Sequence, residues 1–107
     1  MIGKFVRVIV DRSMGSCHPD YPDHIYPLNY GYVEGIMAAD GEEQDAYILG
    51  VNRPLKDFEG RVIAIIKRAD DLEEKWVVAL EGMTFTPEGI EEAVYFQEKF
   101  YKSEIIV

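Results

Sequence analysis

Short runs of β-branched and aromatic residues, each stopped after six to eight positions by a glycine, a proline or an acidic turn, restrict this chain to a fold made mainly of strands. Lys4 to Val10 (KFVRVIV) is the first. Asn29 to Ile36 is the second, with Tyr30 and Tyr32 on one face and with Gly31 and Gly35 marking bulges or the close approach of another backbone. Gln44 to Val51 (QDAYILGV), Gly60 to Lys67 (GRVIAIIK) and Lys75 to Leu80 (KWVVAL) complete a set of five.

The connections are as informative as the runs. Asp11 to Leu28 carries three prolines and no periodicity, which predicts a long ordered loop, and such a loop in a small domain is usually functional. Asp40-Gly41 signals a turn between the second and third strands. Asn52 to Glu59 reads as a plain connection, and Arg68 to Glu74 (RADDLEE) as a second acidic loop. Only one helix is predicted. Thr86 is its N-cap, Pro87 its first residue, and Glu88, Glu91 and Glu92 favour its positive end. Its apolar face runs from Ile90 through Ala93, Val94, Phe96, Gln97 and Phe100 to Tyr101, with Lys99 and Lys102 in the last turn. Ser103 to Val107 forms a short terminal strand. Five strands and one helix predict a mainly β fold, a small five-stranded OB-like barrel, partly closed, with the helix over one end.

Length and charge narrow the function. At 107 residues the chain is expected to be a single domain, 1–107, with one core, and 48% hydrophobic content excludes a disordered acidic tail. Twenty acids against eleven bases give a net charge of −9, which argues against nucleic acid and anionic membrane as partners. The lone Cys17 cannot form an intramolecular disulfide and fits a reducing compartment. No run approaches a membrane span and the chain opens directly on a strand-like segment, so a soluble cytoplasmic protein is expected. Cys17, His18 and His24 invite a zinc reading, but structural zinc needs four ligands at tighter spacings.

The chemistry is expected between Tyr26 and Asp45, where twenty residues hold three tyrosines, three glycines and five carboxylates. Asp40, Glu42 and Asp45 supply the oxygen ligands that a hard cation such as Mg²⁺ takes together with substrate phosphate; Mn²⁺ suits the same donors. A bend at Gly41 would bring all three round one point. The EF-hand frame fails here, because its sixth position is Asp45 where glycine is required. Two acidic loops between strands are expected to face each other across the barrel mouth, and Lys75 emerges from the second.

The string YPLNYGYVEGIMAADGEEQDAYIL resembles the soluble, barrel-type inorganic pyrophosphatases (family I), which carry Y-P-x-N-Y-G-[YF] followed by D-G-D-P-x-D. PLKDFEGRVIAIIKRADDLEEKWVV is similar to the later segment of that family, and FQEKFYKSE to its helix end. The resemblance covers about residues 26 to 107. It implies divalent-metal-dependent hydrolysis of pyrophosphate to two phosphates. Asp40, Asp45, Asp70 and Glu73 fall on metal-binding positions. Glu42 falls on the position that activates the attacking water, Tyr30 on a site tyrosine, and Lys75, Tyr101 and Lys102 on phosphate contacts. The resemblance extends to self-assembly into a homo-oligomer.

The sequence also departs from that pattern. Glu42 and Glu73 each stand where the family has aspartate, and Glu43 where it has proline. The N-terminal region is short and lacks the segment that carries basic phosphate ligands; Arg12 and His18 are the candidates for that role. Two alternatives to the pyrophosphatase stand: a hydrolase of another small phosphoanhydride, and a non-catalytic module that binds metal or phosphate on the same barrel.

Overall fold

The structure, a computed structural model, describes residues 1–69 and 73–107. Its elements are β1 (Phe5–Arg12), β2 (Asn29–Met37), β3 (Glu43–Leu49), β4 (Asp57–Arg68), β5 (Glu74–Ala79), α1 (Pro87–Glu98) and β6 (Ser103–Ile106). Each expected run forms a strand. β4 starts three residues before the expected Gly60, because Phe58 packs inward while Asp57 and Glu59 face solvent.

Strands β1, β2, β3, β5 and β4 pair in that order, and β1 returns to β4 from Phe5↔Arg61 to Ile9↔Asp57. The barrel is therefore closed, not partly closed as the sequence suggested. Closure leaves no free edge within the ring. All neighbours are antiparallel except β3 and β5, which run parallel from Ala46↔Trp76 to Leu49↔Ala79. Buried parallel strands read as continuous apolar runs. β3 and β5 do so because both of their faces are covered.

Two clusters cover them. Val6, Val8, Val33, Ala46, Ile48, Val62, Trp76 and Val78 come from all five barrel strands and fill its interior. Tyr47, Leu49 and Val77, of opposite phase, join Leu28, Ala64, Ile66, Ile90 and Val94 in a second cluster. Helix α1 thus lies against the outer wall of the barrel, over β3, β5 and β4, and not over an end. The wall dictates this, since its outward residues are as apolar as its inward ones.

Thr86 caps α1, its hydroxyl accepting from the Gly89 N–H at 3.0 Å, and Pro87 opens the first turn. The helix stops at Glu98 with Lys99 as its C-cap. Lys99 and Lys102 are therefore outside the last turn, and Phe100 and Tyr101 lie beyond the helix, both largely exposed. β6 then pairs with β4 from Ile65↔Ile106 to Arg68↔Ser103, along the edge that β1 leaves.

The long segment between β1 and β2 is an ordered loop, as expected. Its backbone closes on itself through Gly15 N–H to Tyr26 O (2.8 Å) and Tyr26 N–H to Ser16 O (2.9 Å). Asn29, fully buried, fastens it: Oδ1 accepts from Met14 N (2.9 Å) and Leu55 N (3.0 Å), and Nδ2 donates to Arg53 O (2.9 Å). No helix among the described residues is long and apolar enough to cross a membrane.

Candidate active site

Strand phase decides which side chains meet. Ala46 and Trp76 point into the barrel, so their neighbours Asp45 and Lys75 point outward, and the parallel register sets them side by side. Tyr30 reaches the same spot from β2, with Gly31 and Val33 on the buried phase. Buried Gln44 locks the two strand starts together, donating to Asp45 O at 3.0 Å and Glu74 O at 2.7 Å. The result is a cluster on the outer wall, not at the barrel mouth.

Lys75 is its centre. The side chain is almost wholly buried, and Nζ donates to Tyr30 Oη (2.9 Å), Asp45 Oδ2 (2.5 Å) and Glu73 Oε1. Burial alone would lower the pKa of this ammonium. The contacts with Tyr30, Asp45 and Glu73 outweigh burial and hold it above the ordinary lysine value, so it is charged at neutral pH. The Tyr30 phenol is pushed up by burial, which exceeds the opposing pull of Lys75.

Glu73 is shared, its other oxygen accepting from Arg68 Nη1 at 3.2 Å. Arg68 in turn holds Glu98 of α1 through Nε (3.2 Å) and Nη2 (2.9 Å), and its guanidinium lies 3.6 Å from the Tyr101 ring centroid. Tyr47 donates to Glu98 Oε2 (2.6 Å) and accepts from Gln97 Nε2 (2.8 Å). The Tyr47 phenol is pushed up by burial first and by the Glu98 charge second. A chain of hydrogen bonds therefore runs from Lys75 to the helix.

These groups open into a cleft of about 890 Å³ between the barrel wall, the loop after β1 and the end of α1. Of the residues the sequence points to, Arg12, Tyr30, Asp45, Glu73, Lys75 and Tyr101 line it. Asp40 and Glu42 do not. The bend at Gly41 (φ +84°) exists, but it closes on itself: the Asp40 carboxylate accepts from Glu42 N–H at 2.9 Å, and Ala38 N–H donates to Glu42 O at 2.7 Å. Met37 opposes Glu43, whereas Tyr32 opposes Asp45, so both acids sit at the hairpin tip beyond the bulge. Lys102 lies in a separate groove with Glu88, Glu91 and Lys99. Asp70 lies outside the described residues.

Among the described residues no group of three or more His, Cys, Asp or Glu side chains is placed to hold a metal. Mg²⁺ commonly needs only one or two carboxylates beside waters and substrate phosphate. Asp45 and Glu73 meet that requirement: both are carboxylates, both line the cleft, and their side chains are 34% and 26% exposed. His18 and His24 also line the cleft, while Cys17 is exposed.

Arg68 and Glu98 were not anticipated as site residues, although their phase in the sequence marks them. Arg68 continues the buried set Val62, Ala64, Ile66, and Glu98 follows Ile90 and Val94 at helical spacing. Opposite charges, each on a buried phase, are expected to pair with one another.

Solved structures match this arrangement of strands. An inorganic pyrophosphatase from Ehrlichia chaffeensis aligns with a TM-score of 0.71 at 17% identity, over 97% of this chain and 85% of that one. One from Neisseria gonorrhoeae gives 0.65 at 22%, over 88% and 72%. The Thermus thermophilus enzyme gives 0.63 at 17%, over 100% and 85%. The chain has the inorganic pyrophosphatase fold. No protein-family model and no curated protein matches the sequence. On this pyrophosphatase fold, the cleft sits where β2, β3 and β5 present Tyr30, Asp45 and Lys75 together.

Proposed function

We propose that the chain hydrolyses inorganic pyrophosphate to two phosphates with the help of a divalent cation, Mg²⁺ or Mn²⁺. One observation carries the proposal: a buried Lys75, charged at neutral pH and paired with the Tyr30 hydroxyl and two carboxylates, faces a cleft on a pyrophosphatase fold.

Asp45 and Glu73 would hold the cation, which when bound supplies a water of lowered pKa and polarises a phosphoryl oxygen. Lys75 binds a phosphate oxygen in place of one of its carboxylate partners. Because its proton is held tightly, it neutralises charge on the departing phosphate and does not act as an acid. Tyr30, whose phenol proton burial secures, donates a second hydrogen bond. Arg12 at the cleft lip adds a cation. Tyr101 closes the opposite side, its ring already stacked on Arg68. Asp40 and Glu42 take no part in this scheme.

A second reading, a phosphate-binding module without turnover, is favoured by the pairing of Asp45 and Glu73 with cations. Phosphate release from pyrophosphate, with Mg²⁺ or Mn²⁺, with and without EDTA, and beside Asp45→Asn, separates the two. Metal-dependent release lost in Asp45→Asn supports the hydrolase. Binding heat without phosphate release, with either metal, supports the module.

A further inference from the structure

The cleft offers more surface than a bare anion uses. Its charged residues nearly cancel, with Arg12, Arg68 and Lys75 against Asp11, Asp23, Asp45 and Glu73. Much of the rest is aromatic, and three of those rings do not belong to the core. Tyr21 and Phe100 are each 67% exposed and Tyr101 is 50% exposed, yet all three face the same cavity. His18 stands 5.1 Å from Tyr21 and 5.8 Å from His24, ring to ring, so the loop presents a run of neighbouring rings to the cleft. At about 890 Å³ the cavity lies in the upper range of small-molecule sites, far larger than two phosphoryl groups fill.

Resting on the reading of this cleft as a phosphoanhydride site, we propose that its ligand carries an aromatic base: a nucleoside 5′-diphosphate, with its phosphates at Lys75 and Arg12 and its base against Tyr21 and Phe100. Every base has a π-face, so exposed aromatic side chains bind it without needing a fixed set of hydrogen bonds. Arg68 on the Tyr101 ring shows that this surface already accepts a planar π-system. Hydrolysis there is a balanced step. Water oxygen bonds to the terminal phosphorus, the bridging P–O bond breaks, and nucleoside monophosphate and orthophosphate leave with the protons of the water shared between product and solvent.

The test is calorimetry and phosphate release with ADP and with pyrophosphate, both with Mg²⁺, on the intact chain, Tyr21→Ser, Phe100→Ser and Lys75→Met. Tyr21 and Phe100 are exposed, so their loss leaves the fold intact. The proposal expects ADP to bind more tightly than pyrophosphate. Each serine variant should lose about tenfold in ADP affinity and leave pyrophosphate binding unchanged. Lys75→Met should weaken both. ADP binding weaker than pyrophosphate binding, or ADP binding that neither serine variant alters, overturns the proposal while leaving the pyrophosphatase reading standing. ADP bound through Tyr21 and Phe100, with no phosphate released from either ligand, upholds this proposal and overturns the hydrolase.

Discussion

Arg68 grips Glu98 through two near-parallel hydrogen bonds, 3.2 and 2.9 Å long, with both side chains about 95% buried. The pair joins the last residue of β4 to the last residue of α1, and through Glu73 it reaches Lys75. A buried ion pair adds little net stability over a well-packed apolar pair, but removing one partner strands the other.

Glu98→Ala should therefore lower stability by about 3 kcal/mol, leaving the Arg68 guanidinium short of a partner and Tyr47 without its acceptor. The double change Arg68→Met with Glu98→Leu should cost clearly less than Glu98→Ala alone. Urea midpoints of the two variants decide it.

The pH dependence of Lys75 has a definite sign. Its folded pKa is raised above the ordinary 10.5 despite burial, so the folded state binds this proton more tightly than the unfolded chain. The stability it contributes is full at neutral pH and is lost as pH rises through the folded value. The gap in urea stability between the parent chain and Lys75→Met should stay constant from neutral pH to about 9 and narrow only above the ordinary lysine range. A gap that narrows below pH 9 would contradict the burial and pairing described for Nζ.

Asn29→Leu removes the buried amide that holds Met14, Arg53 and Leu55 together. At about 1 kcal/mol for each bond, the loss comes to roughly 3 kcal/mol. Amide exchange at Met14 and Leu55 should quicken by about a hundredfold, and the loop that forms one side of the cleft should open with it.

Gly31 and Gly15 offer a matched comparison. A Cβ at Gly31 would overlap the Ile9 carbonyl and the Val10 Cα of the neighbouring strand, so Gly31→Ala should cost about 3 kcal/mol by forcing β1 and β2 apart. At Gly15 the space is open and only the φ of +86° resists, so Gly15→Ala should cost about 1 kcal/mol. Thermal midpoints of both variants, measured side by side, check the order.

Strands were legible wherever their signal was local. The alternation in KFVRVIV and the apolar run KWVVAL predict β1 and β5 without reference to the rest of the chain. Asp57 to Glu59 was missed because its polar residues alternate with only one inward side chain, Phe58. Closure of the ring depends on β1 meeting β4 some fifty residues away, which no window of sequence contains. The site divides in the same way. Tyr30, Asp45 and Lys75 are singled out by charge and by the family resemblance, and the wall register brings them to one cleft. The gathering of Asp40 and Glu42 with them was expected from the glycine bend, but Asp40 spends its carboxylate on the turn itself. Arg68 and Glu98 make sense only as a pair, and thirty residues separate them.

β4 serves β1 with Asp57 to Arg61 and, after Ala64, β6 with Ile65 to Arg68. Among the described residues, the second half of that edge is paired by β6, a strand of four residues. Without β6, Ile65 to Arg68 would be an open row of unpaired N–H and C=O groups, apolar at Ile65 and Ile66, of the kind to which strands add. Residues Ser103 to Ile106 thus keep the backbone of Ile65 to Arg68 paired, next to the arginine that anchors the cleft.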